Sequence, residues 1–517
     1  MRPRLSLSLV LAPAALILAA CSPDPSQHAA KARAAFAAED FAAARIEALA
    51  ALDGDGRNAD LLVLLVQSQL RLGDGDGAQA ALARLVDAGR AGPDITRYKA
   101  EAALLRGQPR QALDWLGTDD SPSAWRVRAA AHYALHDYPA AMEAFHKGMA
   151  GKPDLLLARD YARILLEAQD YAGAGKALEV MQRLAPDALD TLLVAGELAQ
   201  RQGRRDEAAA IYARAAERHP RRIEPLLAQA MLADMAGKVD AAAGFVDRAA
   251  AIAGGDSRVV EMKVQIAAEK GDWETVRNTL ASSEGSLDPR SPNGLKYAEA
   301  QLALGHPEQA RAIFAKALLL SPQNPYVRIM LAEAQLATGE AASALRTVMP
   351  LSDAALAGPR ELDLAVRAAT AAGDPAAGAL KARLQSAAFQ ASQQAGAQGR
   401  AAMARQDWAG AIAALRQVTG FDGDAEVLKM LAFASSNAGQ HDEAIAYADR
   451  ALALAPRNPD MIHIAGLVRL NAGRSDDATM RLLKDASEAD PANRLFRADL
   501  ARGGALRSAP TGATGQP

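Results

Sequence analysis

The chain has 517 residues and a formal net charge of −3, with 58 Lys plus Arg against 61 Asp plus Glu. It therefore lacks the excess positive charge on which counterion-driven nucleic-acid binding rests. Aromatic residues make up only 4% while half the chain is hydrophobic, much of that alanine, a balance that suits close-packed helices rather than strands.

Residues 1–20 read as a targeting segment. Arg2 and Arg4 form a positive start, and the apolar run from Leu5 to Leu18 is short for a membrane span. The run ends Leu18-Ala19-Ala20-Cys21, which resembles a bacterial lipobox. That resemblance implies cleavage before Cys21, a lipid on its sulfur, and a lipidated tether over 21–27. Cys21 is the only cysteine, so a disulfide within the chain is excluded. Ser22, which is not the aspartate that retains lipoproteins in the inner membrane, implies the periplasmic face of the outer membrane.

From residue 28 the chain repeats. The clearest unit spans 192–220: Leu192, Ala195, Gly196 and Ala199 form one helical stripe, Gly203 breaks the helix, and Ala208, Ile211, Tyr212 and Ala215 form the stripe of a second helix that Pro220 closes. Gly196 and Ala208 are small enough to let the two backbones approach, with Tyr212 filling the space beside them. One such hairpin cannot bury its stripe alone and must stack on copies of itself.

The residues equivalent to Ala208 are Ala44, Ala78, Ala112, Ala141, Ala174, Ala242, Val276, Ala310, Ala344, Gly378, Ala411, Ala444 and Ala478; most steps are 34 residues, three are 33 and one is 29. A second series about twelve residues earlier keeps the same phase: Ala32, Val66, Ala100, Ala129, Ala162, Gly196, Ala230, Val264, Ala298, Ala332, Val366, Gly399, Ala432 and Gly466. The short step falls at Gly117, Asp119, Asp120 and Pro122, which cut a helix by about a turn. A Ser/Gly/Pro-rich stretch at 282–294 is a second irregularity, and 385–400 reads as a degenerate repeat. The expected organisation is an N-terminal array over 28–384, this junction, a C-terminal array with its cap over 401–502, and a disordered tail over 503–517.

With bulky residues at Phe145, Leu178, Tyr212, Leu280, Phe314 and Leu415, closing prolines at Pro153, Pro186, Pro220, Pro322 and Pro456, and Trp125 in a first helix, residues 27–491 resemble the tetratricopeptide repeat family. The resemblance implies an all-α fold, a right-handed α-solenoid of about fourteen hairpins with a C-terminal capping helix. It also implies a non-enzymatic role in binding protein partners along the concave face. Carried onto this chain, the concave positions include Arg97, Arg126 and Arg159 in three successive repeats, with Arg163 one turn beyond. They continue with Glu197, Met231, Gln265, Glu299 and Glu333, then Arg367 and Arg400. The four arginines suggest a strip for carboxylates or another anion.

The repeats leave no room for a separate catalytic domain, and no phosphate loop, His-Glu-x-x-His helix or Gly-x-Ser-x-Gly elbow is present. The Asp/Gly runs at 53–56 and 73–77 do not match a calcium loop and fit inter-helix turns. His132 and His136, with His146 on the next helix, have the spacing of zinc ligands, but His136 falls at a turn-glycine position and His132 faces the neighbouring helix. No cofactor or metal is expected. The expected function is a lipid-anchored envelope scaffold, an adaptor in exopolysaccharide or protein export. The alternatives are a pilus-assembly or outer-membrane-biogenesis factor, or a subunit positioning an envelope enzyme.

Overall fold

A computed structural model describes residues 25–491 and 493–508. Cys21 and most of the tether lie outside the described residues. Among the described residues there are 29 α-helices, two short 3-10 segments and no strand. None of these helices is long and apolar enough to cross a membrane.

The chain forms two compact units, Met1–Gly255 and Asp256–Pro517. In unit 1 fourteen helices, from Pro25–Ala37 to Val239–Ala253, make seven hairpins; in unit 2 seven more hairpins run from Ser257–Glu269 to Asp477–Ala489, followed by the capping helix Arg494–Ser508. Each unit is an α-solenoid.

Local chemistry explains why the chain turns where it does. At all fourteen hairpin turns one residue adopts positive φ; ten are glycines, such as Gly203 at +77°, and the others are Glu39, His136, Gln169 and Gln406. At twelve of these turns the next residue is the N-cap of the second helix; the exceptions follow Gly373 and Gly473. Asp40, Asp74, Asp137, Asp170, Asp272 and Asp407 each accept a hydrogen bond from the backbone N–H three residues on, which satisfies a donor the helix leaves open. Asp74 is thus a helix cap within the Asp/Gly run at 73–77, which fits an inter-helix turn.

The two small-residue series form the seam of each hairpin. Ala44, Ala78, Ala112, Ala208, Ala310 and Ala444 have no exposed surface, nor do Ala32, Val66, Ala100, Ala230, Ala298 and Ala432. A Cβ added at Gly196 would collide with the ring of Tyr212, and one at Gly399 or Gly466 would strike Leu415 or Leu483. The bulky positions Phe145, Leu178, Tyr212, Leu280, Phe314 and Leu415 are buried as well.

Three marker positions depart from the seam. Gly378 is exposed in the short helix Ala376–Leu384, where Leu380 is the buried residue, and in its partner helix Ala365 takes the buried place expected of Val366. Ala478 is exposed and Thr479 is buried instead; Asp476 caps that helix three residues after Gly473 rather than one, so the helix starts two residues late.

The short step is a helix of only 8 residues, Pro109–Leu116, ended by Gly117 at φ +47°. At 282–294, a 3-10 segment Ala281–Ser286 follows the helix Trp273–Leu280 before Ser291 caps the next helix. Most of 385–400 lies in the 18-residue helix Ala387–Ala404, which pairs with Trp408–Leu415. The loop after Ser352 is stapled over it: Gln393 donates to the Ala357 carbonyl at 2.7 Å, and the Ala355 N–H donates to Asp424 at 2.6 Å. The capping helix takes in 503–508, where the sequence predicts a disordered tail; residues 509–517 lie outside the described residues.

Candidate partner-binding groove

The arginines at the concave position sit on the first helices of successive hairpins of unit 1, Pro93–Leu105, Pro122–Ala134 and Leu155–Glu167. The structure brings three of them into one line, with carboxylates between them. Arg97 donates to Asp94 and, at 2.9 Å, to Asp119, which the truncated helix Pro109–Leu116 delivers in the following linker. Arg126 donates to Glu101 at 2.6 Å and lies 3.7 Å from Asp160. Arg159 donates to Asp160 at 2.8 Å and to Asp190 at 3.0 Å.

Electrostatics follow the pairing. Burial opposes the Arg126 charge, yet Glu101 and Asp160 outweigh it and raise the guanidinium above its ordinary pKa. Arg159 behaves the same way, with Asp160 and Asp190 as its counter-ions. Burial likewise pushes the Asp119 carboxyl up, but the Ser121 backbone and hydroxyl and then Arg97 hold it below the usual carboxylate range. Three of the four strip arginines are therefore balanced by the protein's own acids and do not form an open anion site. Arg163 is exposed and sits beside a separate cavity of about 240 Å³ with Arg126 and Asp160.

A larger cavity, about 470 Å³, opens in the same groove, lined by side chains from the first five hairpins, including Phe36, Phe41, Arg71, Tyr98, Glu101 and Val127. Phe36 and Phe41 meet edge to face at 5.4 Å. At its rim Glu39, held at positive φ in the first turn, accepts from Arg222 at 3.0 Å; Arg222 lies between the sixth and seventh hairpins and also holds Glu224 at 3.1 Å. None of Phe36, Arg71 or the Glu39–Arg222 pair was singled out from the sequence. The available signal for Arg71 was a cation in the last turn of a first helix.

The remaining sequence-selected positions are separate. Glu197 pairs with Arg201 on its own helix at 3.2 Å, and Met231 is exposed. In unit 2, Glu299 is nearly buried against Lys296 at 3.1 Å, and Glu333 holds Arg367 at 2.8 Å. His136 meets the Tyr138 hydroxyl at 3.2 Å, whereas His146 sits edge-on to Tyr161. Among the described residues no three His, Cys, Asp or Glu side chains are grouped to hold a metal.

Tetratricopeptide repeat family models match residues 63–118, 193–257, 301–360 and 425–458. These matches fall in both units and support placing the repeats in the tetratricopeptide repeat family. Proteins of that family bind protein partners and are generally non-enzymatic scaffolds.

Similar solved structures include the APC/C hetero-tetramer Cut9–Hcn1, at 15% identity over 93% of this chain and 96% of that one, TM-score 0.33. Pseudomonas aeruginosa PilF matches at 20% identity over 41% of this chain and 96% of its own, TM-score 0.33. MamA from Desulfovibrio magneticus RS-1 matches at 18% over 32% and 97%, TM-score 0.28. Superposition this loose says nothing of function. No curated protein matches the chain.

Proposed function

We propose that the chain is a non-enzymatic protein-binding scaffold, held to the bacterial envelope by a lipid on Cys21, and an adaptor in exopolysaccharide or protein export. The observation that carries the binding reading is the groove of unit 1, where successive first helices present an ordered ladder of charge around a cavity of about 470 Å³. Such a surface is preorganised: its side chains are held by one another before a partner arrives, which lowers the ordering cost of binding. The anchor and the outer-membrane location rest on Leu18-Ala19-Ala20-Cys21 and Ser22. The choice of an export system rests on the length of the array, since many stacked repeats suit an adaptor that spans several partners.

Cross-linking in intact cells, followed by capture of the tagged protein, tests the groove. Ser123 lines the cavity, so Ser123→Trp is expected to remove the partners that wild type captures while leaving helical circular dichroism unchanged. Identical partners from both proteins would overturn the groove reading.

A further inference from the structure

Resting on the reading that Cys21 carries a lipid, we infer that one edge of unit 1 faces the phospholipid headgroups and that its later hairpins stand farther from the bilayer than its first. The facing edge is formed by the ends of the first two hairpins opposite their turns. The chain fixes this near side. The helix Pro25–Ala37 begins four residues after Cys21. Whatever path they take, four residues span at most about 14 Å. Pro25 in turn packs on the end of the hairpin's second helix, so closely that a Cβ added at Gly54 would stand 2.6 Å from the Pro25 Cγ. The start of the first helix and the end of the second therefore share one edge. Asp53, Asp55 and Arg57 are exposed there, as are Asp87 and Arg90 at the same edge of the second hairpin.

The far side follows from the way successive hairpins are displaced. The turn of the first hairpin lies at its opposite edge, one helix of 13 residues away, which is about 20 Å. There Glu39 accepts from Arg222, which lies not in a turn but in the link between the sixth and seventh hairpins. Links occupy the edge of each hairpin that Pro25 and Gly54 occupy in the first. The link edge of the seventh hairpin thus sits on the turn edge of the first, so unit 1 climbs in the direction from links to turns. The cavity shows the same climb part of the way along. Its wall joins Phe36 and Arg71, at the turn ends of the first helices of hairpins one and two, to Asp94, Ser123 and Leu156, at the link ends of hairpins three to five. Two separate sets of residues give one direction.

The chemistry of the near edge fits headgroups. Asp53, Asp55 and Asp87 stand among Arg57 and Arg90, a mixture of signs that matches the paired phosphate and ammonium of a zwitterionic lipid. Such an edge rests on the headgroup layer, while acyl chains on Cys21 supply the membrane affinity. The arrangement sets where a partner meets the groove. Phe36, Glu39 and Arg71 border the cavity at the turn ends of their hairpins, about one helix length, or about 20 Å, above the bilayer-facing edge.

Site-directed labelling of the full-length lipidated protein tests this. Cys21 is the only cysteine, so with a lipid on its sulfur an engineered thiol is the single one free to take a fluorophore. Arg57→Cys and Arg90→Cys report on the near edge. Arg205→Cys and Lys238→Cys, exposed at the turns of the sixth and seventh hairpins, report on the far one. The proteins are reconstituted in vesicles of phosphatidylethanolamine and phosphatidylglycerol that contain a nitroxide-headgroup lipid. Labels at 57 and 90 are expected to be quenched. Those at 205 and 238, about two helix lengths or about 40 Å from the near edge, are expected to keep their intensity. Equal quenching at both edges, deeper quenching at 205 and 238, or quenching at none in a protein that floats with the vesicles overturns this inference and leaves the anchor standing. A protein that neither floats nor incorporates fatty acid overturns the anchor reading and this inference with it.

Discussion

Four turn positions carry a side chain where the backbone favours none. Glu39, His136, Gln169 and Gln406 adopt φ near +60°, the region ten sister turns fill with glycine. A left-handed L-residue is strained by about 1–2 kcal/mol, part of which glycine returns through its greater freedom in the unfolded chain. His136→Gly and Gln169→Gly are therefore each expected to raise stability by about 0.5–1 kcal/mol in urea unfolding. Gly196→Ala should do the reverse, because the new methyl meets the buried Tyr212 ring; overpacking of this kind costs about 1–3 kcal/mol. The place of His136 in a turn was legible from the repeat phase alone. The same phase puts Glu39 in the first turn, but that it reaches Arg222 was not legible, since the two residues are 183 apart in sequence.

At the level of the hairpin, the seam residues and the caps set stability. Ala208 is fully buried between two helices, so Ala208→Leu should cost about 1–3 kcal/mol, with lost hydrogen-exchange protection concentrated in 192–254. Unchanged exchange there would mean that the seam is not where the helices meet. Periodicity told where hairpins lie but not where each helix begins, because capping chemistry decides that: Asp476 starts its helix late and moves Thr479 into the seam in place of Ala478. The groove shows the same division. Arginine recurs at one repeat position and was visible, but its counter-ions come from unrelated places. Glu101 lies on the helix of Arg97, Asp160 adjoins Arg159, Asp190 opens the next hairpin, and Asp119 sits in the truncated linker. No fixed spacing relates an arginine to those acids.

Over the whole chain, acid is expected to be the weak condition. Hydrogen bonds from Arg258 hold Asp256 below the usual carboxylate range, Thr275 does the same for Asp272, and Ser121 with Arg97 does so for Asp119 against the upward push of burial. A carboxylate depressed in the folded state stabilises fully above its unfolded pKa of about 4 and loses that contribution as pH falls through its folded value. The melting temperature should thus stay level from neutrality to about pH 5 and fall below about pH 4, with a shallower fall in Asp272→Asn. Cys21→Ser is expected to move the protein from the membrane to the soluble envelope fraction and to abolish fatty-acid labelling. The Glu39–Arg222 pair has a consequence of another kind. In a stack where each hairpin touches only its neighbours, the outermost one frays first because it has a single neighbour. The bond from the first turn to the segment before the seventh hairpin gives the first hairpin a second neighbour, so unit 1 behaves statistically as a ring with no free beginning. A partly exposed pair contributes at most about 1 kcal/mol, equivalent to about a fivefold smaller frayed population. Glu39→Gln should open the ring, and amide exchange across the helices Pro25–Ala37 and Phe41–Gly54 should speed up by about that factor while the middle hairpins of unit 1 keep their rates.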